Sequence, residues 1–282
     1  MPSLADHQSN QFTKALFVGD SKAGKTGSLA SLVKAGFKLR ILDYDNGLDV
    51  LKQFVLHECP EQIGNVEFRT LRDKRKDGEI DGAPRAYIEG VKMLTKWKYD
   101  EVDLGMPWTW GPDTIVVLDS LSRFCDAAFD WRLPLTAGYA QNKYDIRMTY
   151  KDAQRAVLNT IGWITSDAFQ CNVIVMAHVR YIDLPDGTKQ GFPQAVGSAI
   201  CSEVPQWFNS YALFENKGGK RTIRTTSTPL IHLANPAPFA MAPSYPIETG
   251  LADFFKVLRA NPEEIKVIEK ARPVLVKPMR KI

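Results

Sequence analysis

Residues Gly19 to Thr26, GDSKAGKT, fit the pattern G-x-x-x-x-G-K-[ST], whose chemistry is the binding of a polyphosphate. Glycines let the backbone of Asp20, Ser21, Lys22 and Ala23 wrap an anion, so that successive N–H groups point inward where a helix begins. After Gly24, Lys25 offers a point charge to the outer phosphates and the Thr26 hydroxyl offers a ligand to Mg2+, so ATP and Mg2+ are the expected cofactors. Asp119 ends the apolar run TIVVLDS, from where a carboxylate can hold the same cation through its water shell. A second acidic group, LDYDNGLD at residues 42–49, has no such assignment. Cleaving a terminal phosphate needs an attacking water held in line. Asp43 and Asp45 point the same way in extended chain and could present one carboxylate to it. The same acids could instead close a strand and cap the next helix, and the residues alone leave both readings open.

These groups need elements to hold them. KALFVGD (14–20) reads as a buried strand, and SLASLVKAG as a helix stopped by Gly36. LRILDYD and NVEFRTL read as strands and AYIEGVKMLTKW as a helix, with TIVVLDS the clearest buried strand. DLGMPWTWGPD reads as a loop; its Trp108 and Trp110 suit either packing or a partner surface. A long helix from about Tyr144 to Phe169 precedes the strand NVIVMAH. Beyond Arg180 the short runs SYALFEN, RTIRTTS and PLIHLA, separated by Gly and Pro, suggest antiparallel strands. The expected fold class is therefore α/β, a mostly parallel sheet flanked by helices with an antiparallel extension at its C-terminal end. Residues 13–260 form the expected domain, with an N-terminal arm at 1–12 and a basic tail at 261–282.

Composition narrows the class. The 282 residues are 44% hydrophobic and 24% charged, as in a soluble globular protein. No run of about 18 apolar residues suggests a membrane span, and MPSLADHQSNQF does not have the pattern of a secretory signal. Cys59, Cys125, Cys171 and Cys201 are scattered, which argues against zinc and disulfides and for a reducing cytoplasm. The net charge of +4 is uneven: the tail from Asn261 carries six Lys/Arg against three Glu. With RTLRDKRKDGE and ENKGGKRTIR it makes three basic clusters, which suit solvated loops or a polyanionic partner.

In order and spacing, GDSKAGKT, DYDNGLD, VVLDS and VIVMAH resemble the motif series of the RecA recombinase core over roughly residues 14 to 235. More closely, AYIEGVKML, LDSLSRFCDAA and VMAHVRYIDLPDG resemble the compact phage-encoded RecA-like ATPases associated with single-strand annealing, the Sak-type proteins. The resemblance implies that Asp45 activates the water, Asp49 contacts the adenine, Asp119 serves magnesium and His178 senses the γ-phosphate. Two departures stand out. Asp45 replaces a Glu and is one methylene shorter; His178 replaces a Gln and brings a titratable ring. In RecA, DNA is held by a loop before the long helix and another after the sensor strand. The first corresponds to Trp131, Arg132 and Lys143, the second to Arg180, Tyr181, Lys189 and Phe192, where a structural hairpin is the competing reading. A neighbouring subunit donates cations to the nucleotide in RecA filaments. ENKGGKRTIR is the matching segment here, with Arg221 the expected finger, although a tight charged turn accounts for it as well.

The resemblance implies a self-assembling, DNA-stimulated ATPase in the cytoplasm of a bacterial host. Single-stranded DNA, further copies of itself and a single-strand-binding protein are the expected partners, and a membrane is not. Three alternatives share the motifs: a hexameric helicase or motor, an annealing module for which ATP is only an assembly ligand, and an ATPase switch that acts on no nucleic acid.

Overall fold

The computed structural model describes residues 12–260 and 262–271. Apart from Phe12, the expected N-terminal arm lies outside the described residues, as do Asn261 and residues 272–282 of the expected basic tail. The chain runs β1 (Lys14–Gly19), α1 (Lys25–Ser28), α2 (Ala30–Lys34), β2 (Lys38–Asp43), α3 (Asp49–Glu58) and β3 (Val66–Thr70). It continues with α4 (Ala86–Thr95), β4 (Gly111–Asp119), α5 (Leu121–Arg132), α6 (Ile146–Thr165) and β5 (Cys171–Ala177). A hairpin, β6 (Val179–Asp183) and β7 (Lys189–Pro193), precedes β8 (Ser210–Lys217), β9 (Lys220–Arg224), β10 (Ser244–Pro246) and α7 (Gly250–Arg259).

Eight strands form one sheet in the order β10-β9-β8-β1-β5-β4-β2-β3. From β8 to β3 every neighbouring pair is parallel, and β9 and β10 add antiparallel strands at one edge. The period of two sorts each central strand onto two cores. Leu16, Val116, Leu118 and Val175 face one side, beneath Met93 of α4, Phe124 of α5 and Ile161 of α6. Phe17, Ile41, Val117 and Ile174 face the other, beneath Leu32 of α2, Val55 of α3 and Phe254 of α7. Burying both faces explains why these strands read as continuous apolar runs.

Three details differ from the sequence reading. The single helix expected after the phosphate loop is two short pieces meeting at Leu29. The Trp-rich segment, read as a loop, opens with a strand, Val102–Gly105, and of the two roles left open its tryptophans show packing: Trp110 Nε1 donates to the Leu104 carbonyl at 2.8 Å, and Trp108 lies 5.9 Å from Trp163 between ring centres. PLIHLA is not a strand. Thr228 Oγ1 accepts the N–H groups of Leu230 and Ile231 at 3.2 and 2.9 Å, a local alternative that competes with sheet pairing. Of the expected pairing there remains an isolated bridge, Tyr211 to Ala234.

Candidate functional site

Register levels the strand ends. Asp43 stands beside Asp119, Asp119 beside Met176, and Val18 beside Ala177, so the turns leaving β1, β2, β4 and β5 open at one edge. That edge, outside the carboxyl ends of parallel strands, is where α/β proteins bind ligands. A cleft of about 720 Å³ lies there, lined by Lys25, Thr26, Asp45, Asp119, His178 and Arg221 among others.

The phosphate loop owes its shape to Gly24, whose φ of 97° is left-handed. A Cβ there would also lie 3.0 Å from Ile247 Cδ1 and 3.2 Å from Arg221 Cδ. The buried Lys25 ammonium donates to the carbonyls of Gly19 and Asp20 at 2.7 and 2.9 Å. Burial pulls its pKa below the ordinary lysine range, opposed by the nearby carboxylates of Asp119, Asp45 and Asp20. The lysine is thus stored beside the loop that a phosphate would enter.

The Thr26 hydroxyl donates to Asp119 Oδ2 at 2.7 Å. One hydroxyl and one carboxylate suit Mg2+, which keeps several waters and takes phosphate oxygens as further ligands. Among the described residues no group of three or more His, Cys, Asp or Glu could cage an ion, so the donors fit a shared site and not a closed one. Burial pushes the Asp119 carboxyl up to about 6, against the hydrogen bond from Thr26. Its folded pKa exceeds the ordinary 3.8, so its burial costs nothing below about pH 4 and costs most once pH has risen through about 6. In EDTA, Asp119→Asn should therefore stabilise the protein at pH 8 by roughly 1–3 kcal/mol, the worth of a two-unit shift at most. Urea unfolding at pH 8 and pH 4 checks this; an equal gain at both values would refute it.

Asp43 and Asp45 separate here. Asp43 Oδ1 accepts the Asn46 N–H at 2.7 Å and its Oδ2 accepts the Thr70 hydroxyl at 3.1 Å, so it closes the turn after β2. Asp45 lies within the turn and lines the cleft. Its Oδ1 accepts the Ser120 hydroxyl at 3.1 Å, and its Oδ2 is 3.7 Å from His178 Nε2. Burial alone would raise its pKa, but His178 and the Ser120 bond outweigh that and hold the carboxyl below its ordinary range. His178 is tied in turn to α5 and the hairpin. Its backbone N–H donates to Ser122 Oγ at 3.1 Å, that hydroxyl donates to the Gln194 carbonyl at 3.2 Å, and the Gln194 N–H returns to the His178 carbonyl at 2.8 Å.

Other expected residues fall elsewhere. Asp49 is exposed in the first turn of α3 and does not line the cleft; Val50 and Phe54 of the same helix do, 44% and 41% exposed. A Cβ on Gly27 would come 2.8 Å from Phe54 Cε2, which sets this ring against the phosphate-loop helix. Sequence reasoning missed both, although their spacing of four on one helix face could have marked them.

Trp131 and Arg132 belong to the last turn of α5 and not to a free loop. Trp131 stacks on Tyr87 with ring centres 5.1 Å apart, and Arg132 is held by Asp152 at 2.7 Å. Phe192 packs on the core and Lys189 faces Asp183 at 3.5 Å. Arg180, Tyr181 and Lys143 are exposed. Arg221, expected to serve a neighbour, lies against the phosphate loop of its own chain.

No curated protein matches this sequence. Among solved structures, the chain is similar to the assembled ATPase EscN, solved with its central stalk EscO from the enteropathogenic E. coli type III secretion system. That match has 13% identity and a TM-score of 0.42, covering 72% of this chain and 42% of EscN. It is also similar to the ATP synthase subunit NeqB from Nanoarcheaum equitans, at 12% identity and a TM-score of 0.38 over 72% of this chain and 47% of that one. The chain therefore spans less than half the length of either protein. No helix among the described residues is long and apolar enough to cross a membrane. The profile of the AAA domain matches residues 11–233, most of the chain and all the cleft residues but those on and after β10. The chain belongs to that family, and its nucleotide-binding domain is a P-loop ATPase.

Proposed function

We propose that this protein is a Mg2+-dependent, RecA-like ATPase that self-assembles and binds single-stranded DNA, in the manner of the phage annealing ATPases its motifs resemble. One observation carries the reading: Asp45 is held as a carboxylate in the same cleft as Lys25 and the Thr26–Asp119 pair, with His178 beside it. Each group has a separate task. Lys25 leaves the Gly19 and Asp20 carbonyls for the outer phosphates, and Asp45 orients water opposite the leaving group. Mg2+, held by Thr26 and Asp119, supplies charge neutralisation when bound. Phe54 and Val50 offer an apolar wall to the base. His178 reports the state of the phosphates to the hairpin through Ser122 and Gln194.

For DNA, the exposed candidates are Lys143, Arg180 and Tyr181, the last 47% exposed. Affinity for a labelled oligonucleotide, read by anisotropy, should fall with salt at a log–log slope of about 0.7 per phosphate contact. Tyr181→Ala should cost about 1–3 kcal/mol if its ring carries a base. Affinity should also change when a non-hydrolysable ATP analogue is present. No binding at low salt would overturn the DNA reading while leaving the ATPase reading intact. A second reading, ATP as an assembly ligand with negligible turnover, is favoured by the low pKa of Asp45, which makes it a weak base. Turnover assayed with and without single-stranded DNA decides between them.

A further inference from the structure

We infer that Arg221 grips the terminal phosphates of the nucleotide held by its own chain, so that the site's second cation is supplied in cis. The inference rests on the ATP reading above and runs against the shared, between-subunit site that the RecA resemblance implies. The geometry begins with the sheet. β8 lies parallel to β1 with Phe214 level with Gly19, so Glu215–Lys217 continue alongside the start of the phosphate loop. Gly218 and Gly219, with φ of 58° and 85°, reverse the chain in a tight turn that suits the twist of a hairpin. β9 then returns with Arg221 opposite Asn216, and the side chain reaches Gly24, where its Cδ is 3.2 Å from the position a Cβ would take.

Charge separates Arg221 from its neighbours. Arg224 and Lys217 both meet Glu215, at 2.8 and 3.0 Å. Among the described residues neither Arg221 nor Lys220 has a carboxylate within ion-pair distance, and both line the cleft. The strand holding them, β9, is fixed between β8 and β10, and its Ile223 is fully buried. An arginine on so rigid a support, its Cδ against Gly24 of a loop built for phosphate, suits the planar two-point recognition of phosphoryl oxygens.

The test is subunit mixing, assayed with Mg2+ and ATP. Arg221→Ala should lower turnover by about 10³-fold, as loss of other arginine fingers does, and Arg221→Lys should recover part of it. An equimolar mixture of Arg221→Ala and Lys25→Ala chains should then show no more activity than the sum of the two alone, because each chain carries one broken site. Activity above that sum means that an interface has combined two intact halves, which overturns the inference. Parent-like turnover of Arg221→Ala overturns it too. If turnover is negligible even in the parent, calorimetry reads the same question: Arg221→Ala should weaken ATP binding, and mixing should restore no tight site. A parent that does not bind ATP sinks the ATPase reading itself, a result distinct from all of these.

Discussion

Lys25→Ala should weaken binding of Mg2+–ATP by at least about 100-fold and bring turnover to background. The expectation follows from where the ammonium is kept. It is buried against two carbonyls, with carboxylates of Asp119, Asp45 and Asp20 near enough to oppose the lowering of its pKa. Removing it leaves the carboxylates of Asp45 and Asp119 in the cleft with one cation fewer to offset them as a polyphosphate enters. Charge-assisted hydrogen bonds are worth about 1.5–3 kcal/mol each, and two of them amount to the stated loss. Folding should survive, because the mutation also relieves the desolvation of a buried charge. Calorimetric titration with a thermal melt beside it checks both halves. Unchanged affinity in a folded Lys25→Ala protein would refute the phosphate-loop assignment.

The second large effect belongs to Asp45. Asp45→Asn should leave ATP affinity within a few-fold of the parent while lowering turnover about 10²- to 10⁴-fold, the usual worth of a positioned carboxylate. The amide keeps the shape and the Ser120 contact, so a binding defect would point to misfolding and not to lost chemistry. The pH profile adds a sharper check. Asp45 must be ionised to act, and His178 and Ser120 hold its pKa below the ordinary range. His178→Ala removes one of those influences, so the folded pKa rises and the acidic limb of kcat moves to higher pH. A limb that stays in place would take His178 out of contact with the catalytic carboxylate. Parent-like turnover of Asp45→Asn would move the role elsewhere, and Asp43 is a poor heir because both of its oxygens are already engaged in the turn.

The phosphate loop, the strand ending at Asp119 and the parallel sheet were legible because each depends on a local rule. A glycine pattern, an apolar run and a period of two need no knowledge of what lies across the fold. The division of labour between Asp43 and Asp45 was not legible, since it depends on Thr70 reaching across from β3 and Ser120 from the end of β4. Trp131 and Arg132 were misplaced for a similar reason. Their composition suits a nucleic-acid loop, but Tyr87 and Asp152, distant in sequence, draw them into the packing of α4, α5 and α6. Val50 and Phe54 look like ordinary core residues until the helix is seen to turn them toward Gly27. The place of Arg221 against its own phosphate loop was not legible either, because it depends on the register that sets β8 beside β1 and returns β9 past Gly24.

The closed ring of Ser122, His178 and Gln194 clamps the base of the β6–β7 hairpin. Both of its feet are tied to one hydroxyl, so they cannot move apart without breaking a hydrogen bond. Its five paired rungs, from Val179–Pro193 to Asp183–Lys189, extend at about 3.3 Å per residue, an arm of roughly 16 Å. The arm is also held midway: the Gly191 N–H donates to the Leu230 carbonyl at 2.7 Å, and Ile182 and Phe192 pack on the core, so base and arm are fixed to the body of the fold together. Shortening the hairpin by one pair of residues at its turn would leave both the Ser122 clamp and the Gly191–Leu230 bond in place.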